Sequence, residues 1–214
     1  MVKVKICGFM RADDVKAASD MGVNMVGVIV IPQSSRGLAL EQAQDVLNAG
    51  KNVDKVAVIM PDSPAEASTV ARKLNPDYLQ IHSRFSAAQL TEIKKLSGKK
   101  IIGVVAIPQK ILDRKEILNR AIEVSKAVDY ILLDTKGSSG GGTGLTHDWR
   151  FSREIRETIN KPVFLAGGLN PNNVKAAIEV VRPYGVDVAT GVESALGRKD
   201  PKLVRAFIEA AKVM

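Results

Sequence analysis

Eight times along its 214 residues the chain passes from a short apolar run, closed by a glycine, a proline or a polar turn, into a stretch with the spacing of an amphipathic helix. The strand-like runs lie at 2–6, 25–31, 55–60, 78–82, 101–106, 130–133, 163–166 and 186–189. Helical spacing follows at 13–21, 40–47, 64–74, 86–96, 111–127, 151–158, 170–181 and 201–212. The run at 25–31 is apolar throughout, as a parallel strand covered on both faces must be, whereas 2–6 alternates apolar with polar residues. Asn170 followed by Pro171 reads as a cap and first turn for the seventh helix. No linker or low-complexity stretch interrupts the alternation. The pattern predicts an α/β chain with a single domain over 1–214, closed as a (β/α)8 TIM barrel; a doubly wound open sheet is the alternative built from the same units.

That expectation locates the chemistry. In such barrels the reactive groups sit at the C-terminal ends of the strands and in the loops that follow. Cys7, Arg36, Gln80, His82, Asp134, Gly167, Gly168 and Gly191 all fall there. Asp134 closes the sixth apolar run and is followed by a glycine-rich loop containing Gly142 and Gly144. A carboxylate beside exposed backbone N–H groups suits a phosphorylated small molecule, although a turn-capping Asp, or one paired with Lys136, has the same sequence. Glycines also follow the seventh and eighth strands, where barrels of this kind often bind phosphate.

Cys7 reads either as a small buried hydrophobe or as a reactive thiol. Its unperturbed pKa of about 8.5 leaves little thiolate at neutrality unless a cation such as Lys5 or Arg36 lies close. Arg36 is either a surface arginine or a bidentate partner for a ligand carboxylate. His82 and His147 are too few and too far apart for a zinc motif, and no metal is expected. Trp149 is expected to pack where the glycine loop meets the next helix.

Composition removes several function classes. A net charge of +8 suggests nucleic acid, but Lys and Arg occur singly or in pairs and aromatic residues are 4% of the chain, too few for stacking platforms. The basic surface instead suits capture of an anionic substrate. No apolar run is long enough to span a membrane. One cysteine and the absence of a signal-peptide pattern point to the cytoplasm.

The ordered motifs resemble those of the phosphoribosylanthranilate isomerase family of tryptophan biosynthesis. They are Lys5 to Gly8, Ser34 to Arg36, Leu79 to His82, Leu132 to Thr135, Gly141 to Gly144, Asp148 with Trp149, Ala166 to Pro171, Asn173 with Val174, Gly185 to Val188 and Gly191 to Glu193. The resemblance runs from the first strand to the last helix. It implies a cofactor-free Amadori rearrangement of N-(5'-phosphoribosyl)anthranilate, with Asp134 as general acid and Cys7 as general base. It further implies that Arg36 holds the anthranilate carboxylate and that Gln80, His82, Gly142, Gly144, Gly167, Gly168 and Gly191 bind the phosphosugar. The expected partner is that small molecule, in a monomer or homodimer. Ser83 stands where the family often has Gly, His147 where Phe is common, and the residues after Arg36 are less polar than expected. The alternatives are the related histidine-pathway aminoaldose isomerase, which uses Asp at the position of Cys7, and a silent binder of a phosphate ligand.

Overall fold

Successive residues of a strand face opposite ways, and here both faces are largely apolar, so each strand needs cover on both sides. The computed structural model, which describes residues 1–135 and 145–212, meets that need by closing the sheet on itself. Strands β1 (Lys3–Ile6), β2 (Met25–Val30), β3 (Asp54–Ile59), β4 (Tyr78–Ile81), β5 (Lys100–Ile107), β6 (Tyr130–Thr135), β7 (Val163–Leu165) and β8 (Gly185–Val188) are parallel and stand in sequence order. β8 pairs back onto β1, with Lys5 opposite Asp187 and Ile6 opposite Val188. This closure bears out the barrel and excludes the open sheet.

Helices α1 (Ala12–Asp20), α2 (Leu40–Asn48), α3 (Pro64–Leu74), α4 (Ala87–Ser97), α5 (Arg114–Ser125), α6 (Trp149–Thr158), α7 (Val174–Val181) and α8 (Pro201–Lys212) follow the strands. None of the described helices is long and apolar enough to cross a membrane. Strand parity divides the core in two. Val4, Ile6, Val26, Val28, Leu79 and Ile81 pack outward with the helices. Met25, Val56, Tyr78, Ile102, Leu132 and Phe164 pack inside the barrel. Near the strands' first residues Tyr130 stands 5.6 Å from Tyr78, 5.9 Å from Phe164 and 5.5 Å from Tyr184, ring centre to ring centre. These rings fill the N-terminal end and leave the opposite end for a ligand.

The structure corrects two readings. α7 begins at Val174, not at 170, because the asparagines before it bond to one another's backbone instead of opening the helix. Asn170 Oδ1 accepts from the Asn172 N–H at 2.9 Å, and Asn173 Oδ1 accepts from the Asn170 N–H at 2.8 Å. α5 begins at Arg114, because Asp113 caps it by accepting from the Glu116 N–H. Within β1, read from its alternation as the first strand, Lys3 is exposed but Lys5 is inside the barrel and fully buried. After β8 a short 3₁₀ turn (Thr190–Val192) leads into an antiparallel hairpin, β9 (Glu193–Ala195) and β10 (Arg198–Lys199), which the repeat pattern did not reveal.

Candidate active site

At the C-terminal ends of the strands a cavity of about 790 Å³ opens. Inward parity brings Cys7, Gln80, His82 and Asp134 to its wall, and the loops after β2, β7 and β8 add Arg36, Gly167, Gly168 and Gly191. The sequence-based expectation thus converges on one pocket for every described residue. Gly142, Gly144 and Lys136 lie outside the described residues.

Cys7 sits one turn of the pleat above Lys5, on the same face of the chain. Lys5 is buried completely and its Nζ donates to Asp187 Oδ2 at 2.7 Å. Burial alone would lower the lysine's pKa, but Asp187 and Cys7 outweigh it and hold the ammonium form. Burial pushes the Cys7 thiol up; Lys5 and Lys199 pull it down, and Asp187 adds to the rise. The net effect keeps the thiol protonated at neutrality. Asp187 lines the same cavity, and its other oxygen, Oδ1, is buried with no hydrogen-bond partner among the described residues. Gly27 on β2 leaves the space that this arrangement needs: a Cβ there would stand 3.0 Å from the Cys7 sulfur and 3.5 Å from Lys5 Cε.

Asp134, half-buried at the pocket wall, titrates at about 7. Burial raises it most, the charge of Asp187 adds to that, and the Thr135 backbone N–H and Lys5 oppose. A carboxyl with this value holds its proton at neutral pH often enough to act as an acid.

Arg36 does not stand free. Its Nε donates to Glu193 Oε1 at 2.8 Å and its Nη2 to Oε2 at 2.7 Å. Lys199 Nζ reaches Glu193 Oε1 at 2.9 Å and the Ala189 carbonyl at 3.0 Å. Glu193 therefore joins two buried cations, and together they hold its pKa below the ordinary carboxylate value despite burial. The guanidinium Nη1 has no hydrogen-bond partner among the described residues, so one edge remains for a ligand.

Gln80 and His82 touch each other, Nε2 to Nε2 at 2.8 Å. Burial lowers His82 to about 4, with Lys5 adding to the drop, so the neutral ring accepts from the Gln80 amide. Gln80 Oε1 is then a second buried acceptor without a partner. His147 serves the framework: Thr135 Oγ1 lies 2.8 Å from its Nδ1 and Ser152 Oγ lies 2.6 Å from its Nε2, tying the end of β6 to α6. Trp149 begins α6 and packs against the outer core.

Gly167 and Gly168 both adopt positive φ, +88° and +66°. A side chain on Gly167 would overlap Thr135, and one on Gly168 would stand 2.5 Å from the Leu145 backbone. Their N–H groups make no hydrogen bond among the described residues, and Asn173 Nδ2 holds the turn by donating to the Gly168 carbonyl at 2.9 Å.

A family described as N-(5'-phosphoribosyl)anthranilate (PRA) isomerase matches residues 4–210. The chain belongs to that family. The isomerase of Haloferax volcanii is 41% identical over 99% of this chain and 94% of its own length. The dimeric phosphoribosylanthranilate isomerase of Thermotoga maritima, solved as generated monomers, superposes with a TM-score of 0.87 at 30% identity over all of both chains. Another isomerase structure, solved with reduced 1-(o-carboxyphenylamino)-1-deoxyribulose 5-phosphate, superposes with a TM-score of 0.85, also at 30% identity over all of both chains. The barrel and the family expected from the motifs are both borne out. Asp187 in the pocket wall, and the Glu193–Lys199 pair that holds Arg36 behind it, are what sequence reasoning did not assign. An aspartate inside the otherwise apolar β8 was the available signal for Asp187.

Proposed function

We propose that Cys7 and Asp134 are the base and the acid of the family's reaction in this chain. The activity is the isomerisation of N-(5'-phosphoribosyl)anthranilate to 1-(2-carboxyphenylamino)-1-deoxyribulose 5-phosphate, a step of tryptophan biosynthesis. Asp134 gives its proton to the ribose ring oxygen as the C1–O bond breaks, and the nitrogen lone pair forms the iminium. Cys7, as thiolate, takes the proton from C2. The C–H electrons form the C1=C2 bond, and the iminium pair returns to nitrogen. The resulting enolamine loses its hydroxyl proton and gains one at C1, giving the aminoketone. The substrate nitrogen is the electron sink throughout, and these proton transfers balance the conversion.

The observation that carries this reading is the convergence of Cys7 and Asp134, from strands β1 and β6, on one cavity with both pKa values raised. The competent form is thiolate with protonated carboxyl. It has the same proton count as the more populated thiol with carboxylate, so the pair works from a minor arrangement of a singly protonated site. Arg36 Nη1 meets the anthranilate carboxylate, and the Gly167, Gly168 and Gly191 turns hold the phosphate; the bound compound of the relative carries both anionic ends. Gln80 and His82 contact the sugar between them. A chain of this kind works in the cytoplasm on its small-molecule substrate.

The test is a fluorescence assay of freshly prepared phosphoribosylanthranilate with Cys7→Ser and Asp134→Asn variants. General acid–base catalysis is worth about 10²- to 10⁴-fold, and each variant is expected to lose that much kcat. Turnover that survives both substitutions would overturn the role assignments.

A further inference from the structure

Beyond the acid and the base, the pocket contains a carboxylate with half of its capacity unused. We propose that Asp187 is a third working group of the site: its unpartnered Oδ1 accepts a hydrogen bond from a hydroxyl of the bound sugar, and its ion pair with Lys5 sets the protonation of Cys7. The second half rests on the reading of Cys7 as base; the first does not.

The geometry carries the contact. Asp187 is buried in the cavity wall, one oxygen is committed to Lys5 at 2.7 Å, and the other is buried with no donor among the described residues. A buried carboxylate oxygen without a donor is costly, and a ligand hydroxyl relieves that cost. Gln80, which lines the same cavity, holds a second unpartnered buried acceptor, Oε1. Acceptors of this kind repel the anionic ends of a ligand and match a polyhydroxylated segment between them.

The same residue acts on the thiol. Cys7 is faced by Lys5 on its own strand, Asp187 on β8, Lys199 on β10 and Arg36 in the loop after β2, while Asp134 and His82 complete the ring of titratable groups around Lys5. Lys5 favours the thiolate and Asp187 the thiol. A hydroxyl donated to Asp187 draws its charge away from Lys5 and leaves the ammonium to stabilise the thiolate. The base is thereby held in reserve in the empty pocket and released when the sugar is in place.

Cys7 is the one cysteine of the chain, so the rate of alkylation by iodoacetamide against pH reads this thiol alone. Asp187→Asn is expected to move the midpoint of that curve down, and Lys5→Met to move it up. Each unit moved changes the rate at pH 7 by roughly tenfold through the thiolate fraction. Loosened packing would expose the sulfur and speed alkylation in both variants, so opposite signs are a signature that damage to the fold does not produce. Shifts of one sign, or none in Asp187→Asn, would overturn the electrostatic role. For the hydroxyl contact, Asp187→Ala is expected to weaken binding of reduced 1-(o-carboxyphenylamino)-1-deoxyribulose 5-phosphate, measured by calorimetry, about tenfold or more, as the loss of a charge-assisted hydrogen bond does. Unchanged affinity would overturn it. Should Asp187→Ala fail to fold, the double variant Lys5→Met/Asp187→Ala leaves no unpaired buried charge; it is compared with Lys5→Met alone. Neither readout needs turnover, so both stand apart from the fate of Cys7 as base.

Discussion

The carboxyl of Asp134 titrates at about 7 in the folded chain against an ordinary 3.8. Between those values the native state binds a proton that the unfolded state has already lost, so this group's contribution to stability is present below pH 3.8 and is lost as the pH rises through 7. Asp134→Asn is therefore expected to raise the melting temperature above that of the parent at pH 8 while lowering kcat by about 10²- to 10⁴-fold, with the stability gain vanishing below pH 4 in scanning calorimetry. No gain at pH 8 would mean that the carboxylate is better solvated than its burial implies. The same two groups shape the rate. For kcat/KM the acidic limb is expected near pH 7 and the basic limb above the ordinary thiol value, both belonging to the Cys7–Asp134 pair and not to either residue separately.

At the scale of elements, the β9–β10 hairpin is what keeps Arg36 in place. It brings Glu193 and Lys199 against the loop after β2, so that one carboxylate serves two buried cations. Glu193→Gln removes the charge and leaves both cations without a counter-ion. Breaking a buried pair in this way costs about 3–5 kcal/mol, which chemical denaturation would report. Because Arg36 then loses its fixed orientation, KM is expected to rise by more than kcat falls. An unchanged KM would place the hairpin in the framework alone. The clasp between β6 and α6 has a different function. Ser152 and Thr135 hold His147 from both sides, and Thr135 in turn packs against Gly167. His147→Ala is expected to leave these hydroxyls unpaired and to destabilise the chain by about 1–3 kcal/mol per orphaned group, measured in the same denaturation series.

Across the whole molecule, burial lowers both histidines to about 4. Each contributes stability that is present above pH 6.5 and lost as the pH falls toward 4, since the unfolded chain binds protons that the folded one refuses. Asp134 opposes them with one proton, leaving a net of one in favour of the unfolded state. Stability is thus expected to drop by about 1.4 kcal/mol per pH unit across the middle of that window, read from urea midpoints. A stability that instead rises as the pH falls, with Asp134 acting alone, would show that the rings are solvated in the native state.

The periodic pattern was enough to specify eight strand–helix units, and position at the strand ends was enough to bring Cys7, Gln80, His82 and Asp134 to one end of the barrel. Both are local properties, written in successive residues. Helix starts at 114 and 174 were harder to place, because side-chain caps at Asp113 and Asn170 compete with helical bonding over only a few residues. The ion pairs escaped the reading altogether. Lys5 and Asp187 are 182 residues apart, and Arg36 and Glu193 are 157 apart. Nothing in the alternation of β1 distinguishes a lysine facing water from one facing the barrel axis. Closure of β8 onto β1 makes that distinction, because it leaves Lys5 no solvent and Asp187 as its partner. Motif order therefore carried the family and the proposed reacting pair, while the burial and charge around that pair arise only when the two ends of the chain meet.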